Sequence, residues 1–270
     1  MAHEALPDRD ALLAWYAAVR RPLPWRATRD PYALLVSEVM LQQTQAARVI
    51  PYYEAFLARF PDAAALAAAP AREVLALWSG LGYNRRALAL QAAALVVARD
   101  GWPADLTELP GVGPYTAAAV GAFAWDRDEA AVDTNVRRVI ERWDGVPLGP
   151  KALAARAARW LPRGRAADFN QAMMELGATV CAPRAARCGE CPLARGCAGR
   201  GAPVAPRVPA RVRERFEDTD RWARGRVVAA LLAGEALPEA IDGERRARVL
   251  AGLERDGLVR RAADGSLALP

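Results

Sequence analysis

Histidine, lysine and long apolar runs are scarce or missing in these 270 residues. His3 is the only histidine, which removes Ser-His-Asp catalysis, Cys-His proteolysis and histidine-ligated zinc together. Lys151 is the only lysine, so arginine carries nearly all the positive charge. No uninterrupted apolar run reaches the roughly 18 residues of a membrane span, because Arg, Gln or Asp breaks every Ala- and Leu-rich stretch. The opening MAHEALPDRD lacks the apolar centre of a signal peptide. A cytoplasmic, nucleoid-associated protein with no membrane partner is expected, and structural disulfides are uncommon in that compartment.

What is present points to helices and a polyanion. Hydrophobic residues make up 53% of the chain, largely at helical spacing, so a mainly α protein is expected. The length allows one large or two modest domains with a real core. A net charge of +6 and a pI near 9.5 suit nucleic acid, although many basic proteins bind none.

Residues 8–20 read as a helix capped by Asp8 or Asp10, followed by a loop set by Pro22, Pro24 and Pro31. One helix is expected from about Tyr32 to Ile50, with Glu38 inside an apolar run and Gln42 four residues on, sharing its face. Short helices follow at 51–60 and 71–78, with Pro51, Pro61 and Pro70 marking starts. The turn SGLGYNRRA leads into a helix at 85–99. Leu-Pro-Gly-Val-Gly (109–113) then turns the chain sharply: Pro110 ends what precedes, and Gly111 and Gly113 permit positive φ. The helix after this hairpin starts with free backbone N–H groups, a natural seat for a phosphate. Asp133 opens another helix, and 151–161 and 168–180 read as two more. Residues 198–213, rich in Gly, Pro and Arg, read as linker, with 206–213 drawn as the linker between the two domains. The last ~57 residues read as two helices and a hairpin turned by Asp-Gly. That order resembles a small winged-helix module; a compact α+β cap is the alternative.

Three sets of residues carry chemistry. The apolar flanks of Glu38 argue for burial, which raises a carboxyl pKa and suits it to deliver a proton. Asp133 reads as a helix N-cap, where backbone amides favour a charged carboxylate. One protonated and one ionised carboxyl are what cleavage of a glycosidic bond through a cationic sugar requires. Cys181, Cys188, Cys191 and Cys197 form C-x6-C-x2-C-x5-C with no cysteine left over. Four thiolates this close suit one metal centre. Two disulfides are the alternative that the compartment disfavours, and zinc is one that spacing alone leaves open. Arg184, Arg187, Arg195 and Arg200 line this loop and are placed to meet phosphates.

The strings SEVMLQQTQ, GLGY, LPGVGPYTAAAV, VDTNVRRV and FNQAMMELG, with the cysteine spacing, resemble the MutY-type adenine glycosylases of the endonuclease III-like helix-hairpin-helix superfamily. The resemblance implies a two-lobed helix-hairpin-helix DNA glycosylase fold over residues 1–205, with 24–125 as a helical-barrel lobe. Residues 1–23 plus 126–205 would form an iron–sulfur lobe, and 214–270 the winged-helix-like module. It implies that Glu38 protonates the adenine ring nitrogen, that Asp133 stabilises the oxocarbenium ion or traps the sugar, and that Tyr115 and Asn135 support them. Trp25, Arg26 and Glu175 are placed around the flipped base. Gln43, Thr44 and Tyr83 resemble residues that enter the duplex beside the mismatch, and Gly111, Val112 and Gly113 face the backbone. It further implies a [4Fe–4S] cluster on the four cysteines, a monovalent cation at the hairpin, and a monomer acting on mismatched double-stranded DNA. Tyr115 stands where lyase relatives place a lysine, so a monofunctional enzyme is expected.

Two departures stand out. Asn84 replaces a second tyrosine common after GLGY. The Phe-Ser-His segment of the C-terminal Nudix-like domain has no counterpart in a chain whose only histidine is His3, so that domain is expected to be lacking. Two rivals remain open: a thymine or uracil mismatch glycosylase on the same scaffold, and a DNA-binding protein without catalysis.

Overall fold

The computed structural model describes residues 5–202 and 215–270. The expected linker at 206–213 and His3 lie outside the described residues, which hold twelve α-helices and one two-stranded sheet. In chain order the helices are α1 (Arg9–Val19), α2 (Pro31–Leu41), α3 (Ala46–Arg59), α4 (Ala63–Ala68), α5 (Ala71–Trp78) and α6 (Arg85–Asp100). Then come α7 (Pro114–Trp125), α8 (Thr134–Asp144), α9 (Pro150–Trp160), α10 (Ala166–Thr179), α11 (Asp220–Ala233) and α12 (Gly243–Arg255). None is long and apolar enough to cross a membrane. Two compact units result: Met1–Glu38 with Gly113–Val208, and Val39–Val112 with Pro209–Pro270. These boundaries fall at 38/39 and 112/113, whereas the lobes drawn from the sequence divide at 23/24 and 125/126.

The first unit packs α1, the start of α2 and α7–α10 around Leu12, Leu34, Phe123, Ile140, Trp160 and Leu176, all buried. Caps fix where its helices begin. The Asp8 carboxylate accepts from the Ala11 amide at 2.9 Å, so of the two candidate caps Asp8 is the one used. Trp143 and Trp160 meet edge to face at 5.2 Å, and the guanidinium of Arg156 lies 5.7 Å from each ring. Arg156 is there because Asp144, at the end of α8, is buried too; the two form a bidentate pair, closest at 2.7 Å. The cysteine loop closes the same end of α8. Ala198 N–H donates to the Trp143 carbonyl and Gly199 N–H to that of Arg142, both at 2.9 Å, satisfying carbonyls that the helix end leaves open. A Cβ on Gly199 would stand 2.5 Å from the Arg142 carbonyl oxygen, so only glycine allows this docking.

In the second unit α4 and α5 lie against α6, and Phe56, Phe60 and Trp78 form an edge-to-face chain with centroids 5.0 and 6.0 Å apart. The structure corrects the single helix expected over 32–50. Leu41 ends α2, Gln43 adopts φ 57, and α3 starts afresh at Ala46 with Pro51 inside it rather than at its start. The cause lies far away in sequence. Arg86, at the start of α6, donates to the carbonyls of Val39 (2.7 Å), Met40 (3.2 Å) and Gln42 (2.6 Å), and to Gly82 (3.0 Å). A guanidinium with five donors thus takes the carbonyls that would have continued the helix. Gln42 therefore lies beyond α2 and does not share a helical face with Glu38.

The hairpin glycines differ from one another. Gly111 has φ 75, and a Cβ there would stand 2.7 Å from that of Ala89 on α6, so it must be glycine for two reasons. Gly113 has φ −90 and open space around it; it is the extended N-cap of α7, with Pro114 at the first helical position. The C-terminal segment forms the two expected helices, α11 and α12. It ends in antiparallel β1 (Arg260–Arg261) and β2 (Leu267–Ala268), joined through Gly265 at φ 84. Helix α11 packs on α12 and α5.

Candidate active site

Helix α2 delivers Glu38 into the apolar interior of the first unit, where it is 5% exposed. Burial raises its pKa from 4.5 to about 7; a hydrogen bond from the Tyr115 hydroxyl pulls against this, and the charge of Asp133 adds to it. Tyr115, in the first turn of α7, is itself pushed well above its ordinary value, by burial first and then by Glu38 and Asp133. Its hydroxyl therefore keeps its proton and remains a donor.

Asp133 caps α8. One carboxylate oxygen accepts from the Val136 amide at 2.7 Å, the other from the Asn135 side-chain amide at 2.8 Å. Asn135 is held in turn: its carbonyl oxygen accepts from Arg138 at 2.7 Å, and Arg138 also donates to the carbonyls of Gly177 (2.7 Å) and Cys181 (2.8 Å). The carboxylate is thus aimed through Asn135 by Arg138, whose guanidinium is anchored on α10 and on the cysteine loop. Glu38 and Tyr115 are joined by one hydrogen bond, and Asp133 and Asn135 by another, with the charge of Asp133 felt by both members of the first pair.

Gly177 on α10 and Arg138 escape a reading of the sequence by chemistry. Glycine inside a helix is itself a signal of close approach, and a Cβ on Gly177 would lie 2.6 Å from the Asn135 Cβ and 2.9 Å from its carbonyl oxygen. Gly177→Val should therefore push the start of α8 off α10, costing ~1–3 kcal/mol of stability as overpacking does. Its single-turnover rate should fall at least tenfold under conditions where the protein remains folded. A rate within twofold of wild type would show that the aim of Asp133 does not depend on this contact.

Beside this set, Trp25 and Arg26 sit in a short 3-10 turn, with Trp25 buried. Glu175 is 1% exposed and accepts from Arg21 at 2.7 and 2.8 Å and from Arg26 at 2.7 Å. Burial raises its carboxyl, but these hydrogen bonds outweigh that and leave its pKa below the ordinary value. Glu175 therefore stays charged and fixes the position of Arg26.

The four cysteines are unpaired and line one cavity of about 660 Å³ together with Arg138, Arg142 and Arg187. Burial pushes the Cys191 thiol up to about 11, with the charges of the other three adding to it. Among the described residues no three such side chains are grouped tightly enough to hold a single metal ion. Arg142 spans the loop, donating to the carbonyls of Ala182 (2.8 Å) and Pro183 (3.0 Å) and to the Cys181 sulfur (3.4 Å). Arg184, Arg187, Arg195 and Arg200 are exposed.

Gln43, Thr44, Tyr83, Gly111 and Val112 belong to the second unit, and Gly113 to the first. Gln43 and Tyr83 are exposed residues with left-handed backbone, φ 57 and 51, and both project from the turns that Arg86 ties together.

Comparison with known proteins bears on the whole chain. Residues 36–163 match the family described as HhH-GPD superfamily base excision DNA repair protein. The chain is 43% identical to an adenine DNA glycosylase of Mycobacterium tuberculosis (strain ATCC 25618 / H37Rv), over 96% of this chain and 92% of that one. It is 40% identical to the adenine DNA glycosylase of Homo sapiens, over 73% of this chain and 40% of that one. Among solved structures, a thermostable thymine-DNA glycosylase superposes with TM-score 0.67 at 34% identity, over 72% of this chain and 94% of that one. A trapped endonuclease III–DNA covalent intermediate shares the fold, with TM-score 0.62 at 23% identity over 72% and 93% of the two chains.

Proposed function

This chain belongs to the HhH-GPD superfamily of base excision DNA repair proteins, and from that premise we propose that it is a monofunctional adenine DNA glycosylase. Its substrate is double-stranded DNA in which adenine is mispaired with 8-oxoguanine or guanine. The observation that carries this reading is the pair of carboxyls: Glu38 buried with its pKa near 7, and Asp133 held by a helix amide and the Asn135 side chain.

The chemistry follows from that pair. Protonated Glu38 gives its proton to an adenine ring nitrogen, so the base leaves neutral when the bond to the sugar C1′ breaks. The Asp133 carboxylate meets the positive charge that develops on the sugar. Water then adds at C1′ and gives up a proton, which restores Glu38; the products are free adenine and an abasic site. The residue at position 115 is a phenol bonded to Glu38, so the place where lyase relatives carry a lysine offers no amine to the sugar aldehyde. A cytoplasmic, nucleoid-associated location belongs to the same reading.

The test is single-turnover release of adenine, thymine and uracil placed opposite guanine, 8-oxoguanine or cytosine. Adenine should be released opposite both guanine and 8-oxoguanine, faster opposite the latter. Likeness to the thymine-DNA glycosylase structure favours a second reading, thymine release. Efficient loss of thymine or uracil with adenine intact would establish that reading instead.

The cysteine cavity supports a [4Fe–4S] cluster on Cys181, Cys188, Cys191 and Cys197. Four thiols sharing one cavity suit a centre that takes four thiolates. Bound there, the cluster would take four thiolates and tie the loop to the end of α8. Anaerobically prepared protein should be brown, with about four irons per chain. Stoichiometric zinc without iron or sulfide would overturn the assignment. A monovalent cation at the 109–113 hairpin belongs to the same reading.

A further inference from the structure

Asn170, on the buried face of α10, is a polar side chain that the reaction described above does not use. It is 3% exposed, and an amide buried without partners costs free energy. Its partners are two backbone groups of the stretch 126–132, which leads into Asp133. The side-chain oxygen accepts from the Ala131 amide at 3.0 Å, and the side-chain N–H donates to the Glu129 carbonyl at 2.8 Å. Those partners fix which end of the amide is which, because an N–H needs the oxygen and a carbonyl needs the nitrogen. An aspartate would lack the donor, and a leucine would lack both.

The rest of the stretch is held from the same side. Where α7 ends, Asp126 turns through the left-handed region at φ 52, and its carboxylate accepts from the Ala167 amide at 3.0 Å. Asp128 accepts from the Gly164 amide at 2.9 Å. Gly121 on α7 makes room for the chain to pass: a Cβ there would stand 3.1 Å from the Glu129 carboxylate and 3.2 Å from the Arg127 side chain. Asp126 and Asp128 grip the beginning of the stretch, and Asn170 grips its end. Ala131, wholly buried, is the last residue so held before the carboxylate that meets the sugar. Beyond Asp133, α8 rests on Gly177, two turns along α10 from Asn170 and so on the same face. One helix therefore sets the chain both just before and just after Asp133.

Resting on the glycosylase reading above, we propose that Asn170 is a positioning residue for Asp133: by clamping Glu129 and Ala131 onto α10, it fixes where the carboxylate stands relative to C1′ of the sugar. It acts through those two backbone bonds and not on the substrate. Asn135 and Arg138 aim the carboxylate, and Asn170 sets its place. A displaced carboxylate meets the developing charge less well, and small misplacements of this kind cost roughly 10–100-fold in rate.

The experiment uses the full chain and single-turnover release of whichever base wild type releases fastest, together with the melting temperature of each protein. Affinity is read by fluorescence anisotropy on a duplex carrying the uncleavable 2′-fluoro analogue of that nucleotide. Asn170→Leu keeps a branched shape and Asn170→Ala is smaller; each removes both bonds, so shape alone does not defeat both variants. Each should lose roughly 10–100-fold in rate, with affinity within threefold of wild type. Leu153→Ala opens a cavity in the same core from α9; it should lower the melting temperature and keep the rate within threefold. In the Asn170 variants the fall in rate that wild type shows above about pH 7 should begin at lower pH. Burial is the main cause of the raised Glu38 carboxyl, and an Asp133 charge farther off adds less to it. An Asn170 variant within threefold of the wild-type rate, an equal loss in Leu153→Ala, an unmoved break in the pH profile, or no folded protein from either Asn170 variant would each overturn the proposal. A wild type that releases no base from any duplex would take the glycosylase reading down with it. One that releases thymine in place of adenine leaves this test intact, because Asp133 serves the sugar and not the base.

Discussion

Glu38→Gln should lower the single-turnover rate of adenine release by about 10²–10⁴, the usual worth of a positioned general acid, and by more if the two carboxyls act as a unit. The amide fits the same buried place and still accepts from Tyr115, but it has no acidic proton to give. The pH profile supplies an independent check. Burial raises the Glu38 carboxyl to about 7, and the protonated form is the active one. The wild-type rate should thus be flat below that pH and fall roughly tenfold per unit above it. Above pH 7 Glu38→Gln should lack this slope. A wild-type rate that rises through pH 7, or a Glu38→Gln rate within threefold of wild type, would remove Glu38 from the role of acid.

Asp144→Ala should destabilise the fold by about 3–5 kcal/mol, the range found when one partner of a buried ion pair is removed. The pair is closed from solvent, with the side chains of Arg156 and Asp144 exposed by 7% and 0%. The Ala5 carbonyl, which also accepts from Arg156 at 2.9 Å, carries no compensating charge. Against a total stability of roughly 5–15 kcal/mol this is a large fraction. The double variant Asp144→Leu, Arg156→Met removes both charges and should recover most of the loss, because apolar replacements of such pairs are often neutral. Urea midpoints on the three proteins settle the matter; a single variant that loses less than ~1 kcal/mol would mean that water reaches Arg156.

Much of this was legible in the chain because the determinants are local. Asp8 and Asp133 cap the helices that follow them, Pro114 opens α7, and Gly111 turns the hairpin; each needs only its neighbours in sequence. Glu38 and Asp133 stand out for the same reason, one by its apolar flanks and the other by its place before a helix. What stays hidden depends on remote partners. The break between α2 and α3 is imposed by Arg86, more than 40 residues away, so the 32–50 pattern reads as one helix. The aim of Asn135 rests on the distant Gly177 and Cys181 carbonyls that anchor Arg138 and on the space left by Gly177, and the position of Tyr83 on Arg221. Arginine on a helix surface looks alike in a sequence whether it faces water or ends another helix.

Both compact units are assembled from two stretches of chain separated by the other unit, and this sets a timetable for synthesis. Leu12, Tyr16 and Leu34 share a core with Ile140, Trp160 and Leu176. At about 5–20 residues per second, Leu34 waits roughly 7–30 s for Leu176 to be made. The surface of the second unit is likewise incomplete until α11 has emerged. The early helices therefore spend that interval on the ribosome with their apolar faces bare: the first unit waits while residues 39–112 of the second are made, and the second waits while residues 113–208 of the first are made.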